Sequence, residues 1–357
     1  MVERVLVSQA DITKAVINNC DEAELADGEV RLKLESFALT TNNVTYAVTG
    51  FQIGYWQFFP AGREGQGIVP VWGVARVVES RSEAVSEGVR LYGFYPMAET
   101  LVIAPAAQSE GVFIDMAAHR SDLPVVYNTY VTVRDGTEKD DYLRALLQPL
   151  LATSYLLFDW LSDNSWFGAE QIIIGSASSK TGLGLCKFLA EPEERPYQIV
   201  GLTSKGNRDF VAALGACDAV KTYDEIDDLE QVPSVYVDMA GNSEVKMALH
   251  TRLADHLKYS TAVGMSHWDK FTGVEGLPGP KPQFFFAPSQ IVKRREDWGA
   301  GVIEQQITAA WKRVAQDAES WLDLRVHDGL EAAMAVYSDL SQGRADPREG
   351  HVIRLKN

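Results

Sequence analysis

Polar and apolar residues alternate from Glu29 to Phe37 (Glu-Val-Arg-Leu-Lys-Leu-Glu-Ser-Phe), the period of a half-buried strand. Val71–Ser80 reads as a second strand region, Ser86–Pro96 as a turn, a short strand and a further turn, and Leu101–Pro105 closes this block. Glycine and proline punctuate it at Gly50, Gly54, Pro60, Gly62, Gly65, Gly67 and Pro70, so the first part of the chain is β-rich. The period changes near Asp140. From Asp141 to Leu161 the apolar residues Leu143, Leu146, Leu147, Leu150 and Leu151 fall at helical spacing, and Pro149 is expected to kink or interrupt that helix. Strands and helices then alternate. Strands are predicted at 172–174, 199–202, 219–222, 235–239, 260–263 and 284–286, and helices at 182–190, 206–214, 243–254 and 300–318. Such alternation implies a parallel, doubly wound sheet. A helix over 330–340 and a strand from Gly350 complete the chain.

The sharpest local signal is Gln171-Ile-Ile-Ile-Gly175-Ser-Ala-Ser-Ser179-Lys180-Thr181-Gly182-Leu-Gly184. Three β-branched residues, a hydroxyl-rich turn and a helix start follow one another. A turn of this kind aims several N–H groups and the positive end of a helix dipole at one point, which favours an anion such as a dinucleotide pyrophosphate. Lys180 opposes that dipole unless a bound phosphate separates the two.

The chain has 357 residues, 46% apolar and 23% charged, which suits a two-domain globular protein. Its formal net charge of -16 argues against general binding to nucleic acid or to anionic membranes. No stretch reads as a signal peptide or an apolar membrane span, so a cytoplasmic location is expected. Cys20, Cys186 and Cys217 are scattered, which points to reduced thiols and away from a disulfide framework.

The order of these elements resembles the medium-chain dehydrogenase/reductase superfamily over nearly the whole chain. Gly28-Glu-Val-Arg-Leu-Lys-Leu is similar to the strand opening that superfamily's GroES-like substrate domain, and Gly88-Val-Arg-Leu-Tyr-Gly-Phe to its "Gly-Asp-x-Val-x-Gly" turn. Leu151-Ala-Thr-Ser-Tyr155 resembles the Thr-Ala-Tyr helix of quinone reductases. Leu214-Gly-Ala-Cys-Asp-Ala-Val and Val237-Asp-Met-Ala-Gly241 are similar to two turns of its Rossmann domain. The resemblance implies an α/β fold: a GroES-like β-rich domain over 1–150, completed by 323–357, and a Rossmann dinucleotide-binding domain over 151–322. It also implies a homodimer. The Tyr-Gly-Phe-Tyr-Pro and Ser-Ser-Lys-Thr segments look most like a divergent, uncharacterised bacterial branch. Where reductases carry Gly-Ala-x-Gly-Gly-x-Gly, this chain has Ser176, Ser179 and Lys180 in glycine places and matches only at Ala177 and Gly182. Two readings follow: a working cofactor loop or a turn that no longer binds a dinucleotide.

On the first reading the cofactor is held by Ser176, Ala177, Ser178, Ser179, Lys180, Thr181 and Gly182, by Thr203, Ser204, Lys205 and Arg208 after the second strand, and by Val263, Gly264 and Met265. An NAD site ends its second strand in an acid. Here Ser204, Lys205 and Arg208 suit a 2′-phosphate instead, so NADPH is expected over NADH; the alternative is a solvated polar loop. Arg63 stands where zinc-dependent members have histidine, and no cysteine lies between Cys20 and Cys186, so no metal is expected. In zinc-free members the substrate carbonyl is polarised by side chains or water. Tyr46 is the candidate proton donor, Asn43 the candidate carbonyl-orienting group and His267 a candidate general acid; each is also readable as a packing or turn residue. Tyr55, Trp56, Tyr92 and Tyr95 would form an aromatic pocket wall, or core.

The expected activity is zinc-independent, NADPH-dependent reduction of a ketone, quinone or α,β-unsaturated carbonyl, with a small-molecule carbonyl substrate and no nucleic acid or membrane partner. The alternative is a non-catalytic NADP(H)-binding sensor or structural protein. A P-loop hydrolase is set aside, because Gly175-x-x-x-x-Lys180-Thr181 is one residue short of that motif and lacks its second glycine.

Overall fold

The computed structural model describes residues 1–134, 136–263 and 276–355. The chain forms two compact units, Met1–Leu146 with Leu322–Asn357, and Leu147–Trp321.

The first unit opens with a hairpin, β1 (Val2–Ser8) and β2 (Ala15–Cys20), joined on β1 by β4 (Gln66–Gly67). The predicted alternating strand is β3 (Val30–Leu39), followed at once by α1 (Thr41–Val48). β5 (Pro70–Ser80), β6 (Arg90–Pro96), β7 (Thr100–Ile103), β8 (Pro105–Ser109), β9 (Val112–Asp115) and β10 (Thr129–Thr132) complete its N-terminal part. Helix α2 (Glu138–Asp163) crosses the boundary between the units. It runs on through Pro149 without the expected interruption.

In the second unit β11 (Gln171–Gly175), α3 (Lys180–Ala190), β12 (Gln198–Thr203), α4 (Arg208–Ala213), β13 (Ala219–Thr222), β14 (Ser234–Asp238), α5 (Ser243–Leu253), β15 (Leu257–Ala262) and β16 (Gln283–Phe284) alternate as predicted. The last of these is shorter than its expected run, because Phe286 instead begins α6 (Ala287–Trp298). Helix α7 (Val302–Gln316) follows. The six strands lie parallel in the order β13-β12-β11-β14-β15-β16. The first strand in sequence is therefore central, and the chain reverses direction across the sheet between β11 and β14. The interior strand β11 is buried along its whole length, which is why Ile172, Ile173 and Ile174 form an unbroken apolar run.

The chain then returns to the first unit with β17 (Asp323–Asp328), α8 (Gly329–Ser341) and β18 (Glu349–Arg354). Its main sheet has the order β17-β18-β3-β5-β6-β10-β9-β8, with β7 also paired to β3. The returning β18 seals the open edge of β3 in antiparallel register, His351 opposite Leu39.

The mixed α/β class expected from the sequence is the observed one. Among the described residues no helix is long and apolar enough to cross a membrane.

Candidate functional site

In an open parallel sheet, ligands bind beyond the carboxyl ends of the strands where the strand order reverses. In the second unit that place is the end of β11, between β12 and β14. Gly175, the last residue of β11, pairs with Leu202 on one side and Asp238 on the other. Ser176 then adopts φ +54°, the left-handed region that a β-substituted residue enters at a cost of about 1–2 kcal/mol. The turn brings Ser179 to the N-cap of α3, where its hydroxyl accepts from the Gly182 N–H at 3.1 Å. Gly182 is needed for this geometry. A Cβ there would lie 2.6 Å from the Ser176 carbonyl oxygen, 3.0 Å from Ser179 Oγ and 3.1 Å from Ala177 Cα. The helix start is thus pressed onto the loop, with the Lys180 and Thr181 amides in its first turn.

The predicted hydroxyls divide into two kinds. Ser178 and Thr203 are buried and bond each other, Oγ1 to Oγ, at 3.1 Å, while Asn207 Nδ2 donates to Ser178 Oγ at 3.2 Å. These bonds fasten the loop after β11 to the loop after β12. Ser176 faces Tyr223, whose hydroxyl burial pushes towards a higher pKa and whose hydrogen bond to Ser176 pulls the other way. Ser204 is half-buried and Lys205 exposed at the start of α4. Arg208 is also exposed, and Nη1 lies 2.9 Å from Glu225 Oε1. Glu225 in turn caps the turn after β13, its Oε2 accepting from the Thr222 N–H at 2.8 Å. That backbone bond first, and Arg208 after it, hold the Glu225 carboxyl below its usual pKa.

On the other side of β11, Asp238 ends β14 buried. Its Oδ1 accepts from the Ala240 and Gly241 amides at 3.1 and 2.8 Å, and its Oδ2 lies 3.1 Å from the buried Lys246 ammonium of α5. Val263 follows β15, its N–H donating to the Asp238 carbonyl at 2.8 Å. Gly264, Met265 and His267 lie outside the described residues.

Asn43 and Tyr46 belong to the first unit, on α1. Asn43 is buried and committed at both ends of its amide: Oδ1 accepts from the Thr40 N–H at 2.8 Å, closing a capping box, and Nδ2 donates to the Pro70 carbonyl at 2.8 Å. Each end of the amide thus already serves the fold, with one N–H and one lone pair remaining beyond these two bonds. Tyr46 is buried, accepts from Trp72 Nε1 at 3.1 Å, and packs its ring 4.5 Å from that of Tyr55 and 5.4 Å from that of Phe94. Burial holds its hydroxyl protonated well above the ordinary tyrosine range. The expected aromatic wall is core. Trp56 lies between two glycines, where a Cβ on Gly50 or Gly67 would come within 2.1 or 2.2 Å of its ring. Tyr95 is fully buried and donates to the Leu91 carbonyl at 2.8 Å.

Residues 37–346 match the family described as "Protein of unknown function (DUF2855)". The chain belongs to this family. No curated protein matches it by sequence. Among solved structures, this DUF2855 chain is similar to CurA from Vibrio vulnificus in complex with NADPH (11% identity, TM-score 0.63, 99% of each chain covered). It is also similar to the YhdH oxidoreductase from Salmonella enterica in complex with NADP (12% identity, TM-score 0.54, 99% of this chain and 100% of that one). A third likeness is to the quinone oxidoreductase from Coxiella burnetii (11% identity, TM-score 0.55, 99% of each chain). At these identities the likeness is one of fold, and it covers the DUF2855 chain end to end.

Sequence reasoning missed Asn207, Tyr223, Glu225 and the Asp238–Lys246 pair. Asn207 lies inside the stretch already singled out and could have been named. The others come from the turn after β13, from β14 and from α5, which only the parallel sheet brings beside the loop.

Proposed function

We propose that this DUF2855 chain is an NADPH-dependent oxidoreductase acting on a small carbonyl compound, a ketone, quinone or α,β-unsaturated carbonyl. One observation carries the reading: an anion-accepting helix start sits at the reversal point of the parallel sheet, beside a second strand that ends in Thr203 with no acid. The residues fit a dinucleotide, because Gly182 leaves the close helix–strand approach open and the buried Ser178 and the half-buried Ser179 bond within the protein instead of crowding outward. When bound, NADPH supplies the hydride. The amides at the start of α3 and Lys180 bind the pyrophosphate. Ser204, Lys205 and Arg208 receive the 2′-phosphate, Arg208 exchanging its exposed pairing with Glu225 for a stronger one with phosphate. Val263, Gly264 and Met265 follow β15, where they would line the nicotinamide end. Tyr46 serves as a hydrogen-bond donor to a developing oxyanion: a hydroxyl held protonated by burial donates without ionising. His267 stays a candidate acid.

The decisive experiment is titration with NADPH, NADH and ATP, read by NADPH fluorescence and calorimetry. Micromolar NADPH binding, with NADH weaker and ATP absent, supports the site. Failure of both nicotinamide cofactors to bind would end the reductase reading. Binding with no turnover on a broad carbonyl panel would instead favour a cofactor-dependent sensor. Retained NADPH binding with lost turnover in Tyr46→Phe supports the donor role, whereas equal loss of stability and turnover would assign Tyr46 to packing.

A further inference from the structure

The first unit holds a cavity of about 230 Å³ built wholly from its own residues. Phe58, Phe59, Ile68 and Leu101 contribute apolar wall, and Asp21 and Glu22 are exposed lining residues. Two arginines in the lining grip the same short segment. Arg120 Nε donates to the Phe58 carbonyl at 3.1 Å, and Arg4 Nη2 to the Ala61 carbonyl at 2.8 Å.

Their remaining valences differ from those of ordinary structural arginines. Arg120 is 1% exposed, and its Nη1 meets Asp115 Oδ2 at 2.9 Å and Tyr130 Oη at 3.0 Å. Its Nη2 is buried without a protein partner among the described residues. A buried donor left unmet costs about 1–3 kcal/mol. Arg4 is half-buried, and among the described residues its side chain has only neutral partners, Asn18 Oδ1 at 3.0 Å and the Ala61 carbonyl. The third lining arginine, Arg31, is by contrast met by Glu22 and Glu79 at 3.3 and 3.2 Å. The cavity therefore combines apolar wall with one cation, Arg4, that has no carboxylate partner among the described residues, while the spare Arg120 donor is sealed behind the wall.

We propose that this cavity binds a small amphipathic monocarboxylate, its carboxylate on Arg4 and its apolar body against the phenylalanines. Size sets the body. A dry cavity of about 150 Å³ takes benzene, so this one takes a single ring or a chain of about six to ten carbons. Charge sets the head. Glu3, Asp21, Glu22 and Asp115 also line the cavity, so a doubly charged anion meets repulsion that a single carboxylate on Arg4 tolerates.

Calorimetric titration of the whole chain with octanoate, octanol, succinate and inorganic phosphate tests this. Octanoate is expected to bind, with octanol about tenfold weaker and succinate and phosphate weaker still. Arg4→Gln is expected to weaken octanoate about tenfold and leave octanol unchanged. Leu101→Trp, which fills the cavity, is expected to abolish both. Melting curves verify that each variant is folded. The proposal is overturned if octanoate does not bind, if octanol matches it, or if either folded variant binds octanoate like the parent. The outcome is independent of NADPH, whose proposed binding residues all lie in the other unit.

Discussion

Gly182→Ala isolates the one contact on which the loop geometry turns. The added Cβ would lie 2.6 Å from the Ser176 carbonyl oxygen, against 3.4 Å for ordinary contact, so strand and helix must part by up to 0.8 Å. That oxygen is backbone and cannot rotate away. The second neighbour, Ser179 Oγ at 3.0 Å, can rotate, but only by giving up its cap on the Gly182 amide. Overpacking of this kind costs about 1–3 kcal/mol, and the lost cap about 1 kcal/mol. Alanine's better helix propensity returns about 1 kcal/mol. The net is a loss of about 1–3 kcal/mol, read as a lower urea midpoint at unchanged slope. Because the shift moves the helix start away from the loop, NADPH affinity should fall about tenfold or more. Gly206→Ala is the control. It lies in the neighbouring loop, outside the positive-φ region, with no atom within 4 Å of its would-be Cβ. It should stay within about 0.5 kcal/mol of the parent. A Gly182→Ala protein as stable as the control, binding NADPH like the parent, would refute the claim that loop and helix are pressed together here.

Other perturbations test other parts. Glu225→Gln removes the carboxylate that Arg208 faces and should raise the preference for NADPH over NADH, while Arg208→Ala should lower it; the ratio of dissociation constants decides, and an unchanged ratio in both removes Arg208 from the site. Asp115→Asn strips the buried partner of Arg120 and should destabilise the protein by about 3–5 kcal/mol in urea denaturation, far more than loss of an exposed pair would. His250 is fully buried, with Nδ1 on the Pro278 carbonyl at 2.9 Å and Nε2 on Ser260 Oγ at 3.0 Å. Burial holds its pKa below the ordinary 6.5. The unfolded chain therefore takes up this proton first as pH falls. Stability should be full above about pH 6.5 and decline below it, and melting temperatures between pH 7.5 and 5 should show a shallower decline in His250→Gln.

The two periodicities made most of the fold legible. β3 reads as a strand because the apolar Val30, Leu32 and Leu34 are buried while the intervening Lys33 and Glu35 are only half-buried, and the run of isoleucines in β11 reads as one because both faces are buried. The strand, turn and helix start between Gly175 and Gly182 were visible because each has a local signature; that the strand order reverses there emerged only from the sheet. The aromatic residues were not legible. Tyr55, Trp56, Tyr92 and Tyr95 look alike in sequence whether they line a pocket or fill a core, and what decides is the space made for them elsewhere, as by Gly50 and Gly67 around Trp56. Asn43 had a signal that was open to reading. Thr40 three residues before it, at the start of a helix, is a capping pattern, which gives this amide a structural task.

The serines of the cofactor loop raise the same question in sharper form, since in sequence they look like damage to a glycine motif. In the fold each has a task glycine could not perform. Ser178 joins Thr203 and Asn207, Ser179 caps α3, and the Ser176 side chain bonds the Tyr223 hydroxyl from a left-handed φ that glycine would adopt without strain. A loop that merely decayed would leave such hydroxyls pointing at random. Here they stitch the loops after β11 and β12 and the start of α3 into one surface, at the cost of the strained φ at Ser176. Strain of this kind persists only where the surroundings enforce it. The hydroxyls thus work as structural bonds, and under the proposed function recognition of an anion is assigned to the backbone at the start of α3 and to the cations Lys180, Lys205 and Arg208. If that division holds, Ser178→Ala should loosen the loop and lower stability, and affect NADPH chiefly through that loss. Lys205→Ala should weaken NADPH with stability unchanged. Equal effects of the two on affinity at equal stability would show that the division is wrong.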